Sequence, residues 1–190
     1  MAKIVLASGS PRRQELLRRI GIEAFDIRVP DTEETYPAGL NPQATVEFIS
    51  RGKAGAVDAA PDEIVIAADP MVFLDDERLG KPRDEADALR MLLELQGRRH
   101  TVCTGVTVRQ GERVLTESES TEVSFRSATR AELLGYIKTG EPMDKAGAYG
   151  VQGKGALLVE SLHGDFFNVM GLPLVRLSRM LQRFGVTFFD

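Results

Sequence analysis

In the first part of the chain, short runs of apolar residues alternate with segments in which apolar residues recur at the spacing of a helix. Residues 4–7 form an apolar run typical of a buried strand, and a second strand is predicted over residues 24–29. Between them lies a predicted helix, with Ser10 as N-cap, Pro11 at the first helical position and Gly21 as its stop. The chain therefore begins with a strand–helix–strand pattern.

The middle of the chain has an antiparallel pattern. Residues 63–69 predict a short buried strand, and the apolar segments on either side of Asp75 and Asp76 predict a hairpin. Residues 100–127 predict a longer hairpin that turns at Gly111. Strands that alternate with helices at first and then pair antiparallel favour a mixed α/β (α+β) fold.

Further helices are marked by their caps. Asn41 caps a helix that begins at the following proline, residues 84–97 form an amphipathic helix, and Thr129 caps another. Residues 141–155 are predicted to be a glycine-rich loop, and residues 164–173 a tight connection into the last helix.

Length, composition and charge limit the class of protein. The 190 residues, 43% hydrophobic and 27% charged, suffice for one well-cored domain, and we expect a single domain over residues 1–190. A net charge of -4 argues against a nucleic-acid polymer as partner. The single cysteine, Cys103, excludes an intramolecular disulfide and suits a reducing cytosol, and its place in a strand-like run predicts a packed core thiol. The absence of a long apolar segment or signal-peptide features predicts a cytoplasmic protein with no membrane partner.

Two charged residues stand among apolar neighbours. Lys53 continues an apolar helical stripe, so its ammonium either finds an anion or reaches water along a packed stem. Asp69 ends a predicted apolar strand, where α/β folds commonly hold ligands. The predicted hairpin would bring Lys81 near Asp69, either as an ion pair or as two groups flanking a substrate.

The stretch "SGSPRR" places Arg12 and Arg13 in the first turn of a helix, where the helix dipole disfavours cations. An anion bound there would reverse this penalty, because guanidinium groups and free backbone N–H groups both bind phosphate. Two solvated arginines are the alternative from this stretch alone.

Two loops carry groups that suit a nucleotide. The acidic loop with Asp31, Glu33 and Glu34 offers oxygen ligands to a hard cation, or is simply solvated. The glycines of residues 145–155 let backbone N–H groups approach an anion, and Gln152 can read a nucleobase edge. Together with the charged residues above, these loops suit a metal-dependent phosphoanhydride hydrolase.

Three long segments resemble one known family. "LASGSPRRQELL", "GKPRDEADALRMLLELQGRRHTVCTGV" and "GEPMDKAGAYGVQGKGALLVESLHGDFFNVMGLPL" closely resemble the Maf family of nucleoside triphosphate pyrophosphatases, in the same order and over nearly the whole chain. The form "DKAGAYGVQG" resembles the branch that acts on dTTP and UTP.

The resemblance implies a fold and an activity. It implies an elongated mixed sheet with flanking helices and a cleft between two lobes, similar to inosine triphosphate pyrophosphatases. It also implies hydrolysis of a nucleoside triphosphate to the monophosphate and pyrophosphate, with a divalent cation, Mg²⁺ or Mn²⁺. It leaves room for a homodimer.

The resemblance assigns roles to particular residues. Asp69 matches the proton acceptor, Arg12 and Gln152 match positions tied to substrate choice, and Glu33, Lys53 and Lys81 match further polar positions of the cleft. The predicted sets are then as follows: catalytic Asp69, Lys81 and Lys53; substrate-binding Ser8, Arg12, Arg13, Pro70 and Gln152; metal-binding Glu33 and Asp69.

One position departs from the family pattern. The family usually has threonine after the catalytic aspartate, whereas this chain has Pro70. Proline offers neither a hydroxyl nor a backbone N–H, so we predict a broader or shifted nucleotide preference. Two other functions stay open: a nucleotide-binding regulator of cell division with little catalysis, and a house-cleaning pyrophosphatase for other non-canonical nucleotides.

Overall fold

A computed structural model describes residues 3–189, which contain seven strands and six α-helices. The strands are β1 (Ile4–Leu6), β2 (Phe25–Ile27), β3 (Ile64–Leu74), β4 (Glu77–Leu79), β5 (Arg99–Gln110), β6 (Arg113–Phe125) and β7 (Val159–His163). The helices are α1 (Pro11–Arg19), α2 (Pro42–Ala56), α3 (Glu85–Leu95), α4 (Arg130–Ile137), α5 (Phe166–Met170) and α6 (Leu174–Gln182). Short 3-10 helices span Glu141–Asp144, Ala146–Ala148 and Lys154–Leu158.

The strands form one mixed sheet in the order β2-β1-β3-β5-β6-β7, with β4 paired to β3. β1 is parallel to β2 and β3, whereas β4 and β7 are antiparallel to β3 and β6 respectively. The mixed α/β class predicted from the sequence is confirmed, and so are the two hairpins. None of the described helices is long and apolar enough to cross a membrane.

The chain contacts divide residues 3–189 into two compact units. The first comprises residues 3–69, 104–119 and 171–189, and the second comprises residues 70–103 and 120–170. The organisation of residues 1–190 as one domain stays a prediction.

The core of the first unit includes a cluster in which α2 packs against the parallel strands. Its buried members are Val5, Ala7, Ala54, Val57, Val65 and Ala67. The buried hydroxyls of Ser50 and Thr107 also approach to 2.9 Å between α2 and β5. At Gly105 a β-carbon would stand 2.1 Å from the carbonyl oxygen of Val46, so the helix backbone lies directly against this glycine.

The larger cluster of the second unit lies around α3 and α4. Its fully buried members include Leu79, Leu92, Leu95, Leu133 and Ile137. The predicted caps at Asn41 and Thr129 are confirmed, because Asn41 accepts from Ala44 N at 2.8 Å in the first unit and Thr129 forms a capping box with Glu132 in the second. Cys103 is buried in β5, as expected of a core thiol.

Two predicted elements were wrong. The strand predicted to end at Asp69 continues through Pro70 to Leu74. Pro70 falls in a gap between two ladders, since pairing with β1 ends at Ile66 and pairing with β4 begins at Val72. Neither ladder therefore needs the N–H that proline lacks.

The segment predicted as a tight connection contains α5. Asp165 Oδ1 accepts the N–H groups of Phe167 and Asn168 at 2.7 and 3.1 Å, so an aspartate caps this single-turn helix. The buried amide of Asn168 also donates to the carbonyl of Val102 at 2.9 Å. The helix is thus stabilised by side-chain hydrogen bonds, and its five residues are too few to show a helical pattern of apolar positions in the sequence.

Candidate active site

Asp69 lies on β3 just beyond the point where the parallel ladder with β1 stops. The last bond of that register joins Ala7 N to the carbonyl of Ile66 at 2.8 Å. The carboxyl end of β1 and the middle of β3 are therefore neighbours, which is where ligands bind in parallel α/β sheets. Asp69 is only 4% exposed there.

The ammonium of Lys53 contacts the carboxylate of Asp69 directly. The same ammonium donates to Glu34 Oε1 at 2.8 Å, and the lysine side chain is 14% exposed. Lys53 is held in place by α2, whose inner face is buried at Val46 and Ile49. Of the two interpretations of this lysine, the one in which its ammonium finds an anion is confirmed.

Burial raises the pKa of Asp69 above its ordinary value, and the adjacent Lys53 ammonium opposes this shift. Only Oδ1 of Asp69 is engaged by Lys53. Among the described residues, the buried Oδ2 has no hydrogen-bond partner. A buried carboxylate with one unused oxygen and a raised proton affinity is suited to accept a proton or to bind a cation.

Arg13, not Arg12, is the anchored arginine of the "SGSPRR" stretch. Its Nη1 donates to Ser8 Oγ at 2.7 Å and its Nε donates to the carbonyl of Gly171 at 3.0 Å. Burial lowers the pKa of Arg13, an effect partly offset by the charge of Asp69, and the guanidinium stays charged at neutral pH. Arg13 is therefore not simply a solvated arginine, although both Arg12 and Arg13 are partly exposed in this turn.

The first turn of α1 is built differently from the sequence prediction. Ser10 occupies the N-cap position, but its side chain makes no capping bond. Ser8 Oγ instead accepts from Ser10 N at 3.2 Å as well as from Arg13. Ser8 thus positions Arg13, a role that no local pattern in the sequence indicates.

Within the acidic loop, Glu33 and Glu34 are both exposed, and it is Glu34 that contacts Lys53. Residues 3–189 contain no cluster of three or more His, Cys, Asp or Glu side chains that could hold a metal ion. A cation here would have to take some of its ligands from a bound substrate or from water.

Pro70 and Lys81 belong to the second unit. The β3–β4 ladder ends at the pair Val72 and Leu79, and Pro70 and Lys81 each lie two residues beyond that pair along the chain. The carbonyl of Gly80 accepts from Gly147 N at 3.1 Å, which ties the end of this hairpin to the start of the glycine-rich segment. Lys81 is exposed.

Gln152 is exposed in a turn of the glycine-rich segment. The chain on either side of it is fixed by Glu141 and Tyr136, two residues that sequence reasoning missed. Glu141 accepts the N–H groups of Lys154 and Gly155 at 2.8 and 3.0 Å. Its only signal in the sequence is its place at the start of the segment "EPMDKAGAYGVQG".

These features describe an α/β protein whose first unit has a lysine-bound, buried carboxylate beside an anchored arginine, a combination suited to phosphate chemistry. The family model described as "Maf-like protein" matches residues 3–184. The chain therefore belongs to the Maf family, and the resemblance recognised in the sequence is confirmed.

Relatives named dTTP/UTP pyrophosphatase match the chain over its whole length. The protein of Symbiobacterium thermophilum is 47% identical and covers 100% of this chain and 97% of its own length. The protein of Moorella thermoacetica is 49% identical, with 98% and 97% covered, and that of Bacillus pumilus is 45% identical, with 100% of both covered.

Two solved structures share the fold. The Ham1 protein of Staphylococcus aureus aligns with a TM-score of 0.52 at 15% identity, covering 95% of this chain and 98% of that one. A HAM1 protein of Coxiella burnetii aligns with a TM-score of 0.51 at 16% identity, covering 96% and 100%. At such low identity the likeness shows the fold alone.

Proposed function

We propose that this protein is a nucleoside triphosphate pyrophosphatase that hydrolyses the bond between the α and β phosphates. Membership of the Maf family supports this activity, as do full-length relatives named dTTP/UTP pyrophosphatase at 45–49% identity. The same names support dTTP and UTP as substrates. Pro70 is the one observation that favours a shifted or broader preference.

The buried carboxylate of Asp69 is the observation that carries the chemistry. A water molecule attacks the α-phosphorus and gives its proton to Asp69, while the bond from that phosphorus to the bridging oxygen breaks and pyrophosphate leaves. The raised pKa of Asp69 suits a group that must accept a proton and later release it. Its Oδ2 is available for this step among the described residues.

The cations of the first unit bind phosphate in this proposal. The fixed guanidinium of Arg13 and the ammonium of Lys53 offset negative charge that develops on the phosphate oxygens. Ser8 holds Arg13, and Arg12 supplies a second guanidinium from the same helical turn. In the second unit, Lys81 is a further phosphate ligand, Gln152 binds the base, and Pro70 influences the choice of nucleotide.

Asp69 also fits a divalent cation. Its buried Oδ2 lacks a partner among the described residues, and Mg²⁺ is commonly held by one or two carboxylates together with substrate phosphates. Asp69 and the acidic loop, with Glu33 or Glu34, would hold Mg²⁺ or Mn²⁺. When bound, the cation would neutralise phosphate charge and polarise the attacking water. The homodimer and the cytoplasmic location stay predictions.

A pyrophosphate-release screen over canonical and modified nucleoside triphosphates tests the proposal. The screen is run with Mg²⁺, Mn²⁺ or Co²⁺ and after chelation with EDTA. We expect release of pyrophosphate and monophosphate from dTTP or UTP, lost on chelation and restored by the cation. Tight binding of nucleotides without release would overturn the activity and favour a regulator. Release that survives chelation would overturn the metal requirement alone.

A further inference from the structure

The carboxylate of Glu141 lies against the backbone of residues 150–155, the segment that carries Gln152. Its Oε2 accepts from Lys154 N at 2.8 Å, and its Oε1 accepts from Gly155 N at 3.0 Å. These N–H groups belong to the first turn of a 3-10 helix and have no partners within that helix. Glu141 therefore caps the helix that follows Gln152, although it lies thirteen residues before that helix begins.

Tyr136 joins this arrangement from α4. Its hydroxyl donates to Glu141 Oε1 at 2.8 Å and accepts from the buried Gly150 N at 3.1 Å. Glu141 thus holds the chain after Gln152, and Tyr136 holds the chain before it. The two residues are bound to each other, so the segment is fixed at both ends by one hydrogen-bonded pair.

Two glycines of this segment, Gly153 and Gly155, lie in close contact with the side chains of Glu141 and Tyr136. A β-carbon on Gly153 would stand 2.4 Å from Glu141 Oε2, and one on Gly155 would stand 2.6 Å from the Tyr136 hydroxyl. Neither glycine has positive φ, so close approach is what excludes a side chain there: the Glu141 carboxylate at Gly153, and the Gly150 backbone together with the Tyr136 phenol at Gly155.

The charge of Glu141 suits the role of acceptor. Burial alone would raise its pKa, but the N–H groups of Gly155 and Lys154 outweigh burial and lower the pKa below its ordinary value. An ionised carboxylate only accepts hydrogen bonds, which matches the three donors that face it.

We propose that Glu141 and Tyr136 are a positioning pair that sets the conformation of residues 150–155 and so aims Gln152 at the nucleobase. The inference rests on the proposed function and adds two positioning residues to it. Glu141→Gln removes the arrangement with little change in volume. A glutamine amide has one oxygen and one NH₂ group, so its NH₂ group must replace one of the two carboxylate oxygens. In either orientation that NH₂ group, which cannot accept a hydrogen bond, faces a backbone or phenol donor.

The first test is a double-mutant cycle between Glu141→Gln and Gln152→Ala, read as kcat and KM for dTTP, UTP and purine nucleoside triphosphates. We expect Glu141→Gln to raise KM for the preferred nucleotide roughly tenfold, with a smaller change in kcat, and to reduce discrimination between bases. Once Gln152 is alanine, the same substitution should change KM by less than about twofold. Equal losses for every nucleotide in both backgrounds would show a general structural role and overturn the proposal.

Tyr136→Phe provides a second variant should Glu141→Gln not fold. We expect it to raise KM in the presence of Gln152 and to change KM little once Gln152 is alanine. Glu160→Gln, an exposed carboxylate on β7, is the matched control and should leave KM and base preference unchanged.

Hydrogen exchange separates failure of this inference from failure of the proposed function. We expect the amides of Gly150, Lys154 and Gly155 to exchange faster in Glu141→Gln than in the wild type or in Glu160→Gln. If the wild type releases no pyrophosphate from any nucleotide, the proposed function fails while this measurement still tests the pair. Unchanged exchange rates at these amides would overturn the positioning role.

Discussion

Lys53 and Asp69 lie sixteen residues apart in the chain, yet the ammonium of one contacts the carboxylate of the other. The lysine comes from helix α2 and the aspartate from the middle of strand β3. Each tunes the other: the ammonium favours the ionised carboxylate, and the carboxylate stabilises a lysine that is largely removed from water.

Asp69→Asn is expected to reduce kcat for pyrophosphate release by at least about a hundredfold, because the amide cannot accept the proton of the attacking water. The fold should persist, since asparagine has nearly the same shape and the Lys53 ammonium keeps its bond to Glu34. Stopped assays of pyrophosphate release and thermal unfolding are the measurements. Asp62→Asn, an exposed carboxylate in the same unit, should behave as the wild type. Wild-type turnover by Asp69→Asn would remove this residue from the chemistry.

Lys53→Met is expected to move the acidic limb of the pH profile of kcat/KM to higher pH. The Lys53 ammonium lowers the pKa of Asp69 against the effect of burial, so its loss raises that pKa further. A base must be deprotonated to act, so activity is then lost at a higher pH as the pH falls. Lys53→Arg keeps the charge and should leave the limb near its wild-type position. A limb that does not move in Lys53→Met contradicts the coupling.

Pro70→Thr is expected to change the ranking of nucleotides by kcat/KM, because it adds a hydroxyl and a backbone N–H beside Asp69. The measurement is kcat/KM for dTTP, UTP and purine nucleoside triphosphates, determined for the wild type and for the variant. Pro70→Ala restores the N–H without the hydroxyl and separates the two effects. An unchanged ranking in Pro70→Thr would exclude this residue as a cause of substrate preference.

Gly105→Ala is expected to destabilise the protein by about 1–3 kcal/mol and to lower turnover. The new methyl group would overlap the backbone carbonyl of Val46, so α2, which carries Lys53, must shift. Gly52→Ala on the same helix meets nothing within 4 Å and should be neutral or slightly stabilising. Urea unfolding and pyrophosphate release measure both effects. Equal stabilities of the two alanine variants would contradict the close approach.

His100 is expected to make stability depend on pH. Burial lowers its pKa to about 4 from the ordinary value of 6.5, so the unfolded chain binds the proton first as the pH falls. The free energy of unfolding is then fully retained above pH 6.5 and decreases by about 3 kcal/mol between pH 6.5 and pH 4.

Denaturant unfolding at several pH values checks this for His100→Gln, in which the contribution should vanish. The chain has two histidines, and the exposed His163 provides the matched control. His163→Gln should keep the wild-type slope. A wild-type slope in His100→Gln would assign the pH dependence to other groups.

The sequence by itself determined the features that depend on neighbouring residues. The caps at Asn41 and Thr129, the turn at Gly111 and the apolar stripe that includes Lys53 all arise from contacts over a few positions. Such features follow from backbone geometry and local hydrogen bonds, so residue order suffices to predict them. The long motifs further determined the family.

Only the tertiary structure decided which charged groups meet. No local pattern in the sequence distinguishes Arg12 from Arg13. In the structure it is Arg13 that donates to the carbonyl of Gly171, 158 residues further along the chain. Likewise the structure selected Glu34 over Glu33 as the partner of Lys53, and placed Glu141 against the backbone beside Gln152. These choices depend on how segments that are separated in sequence come together in the fold, because tertiary packing sets which of two adjacent side chains meets a given partner.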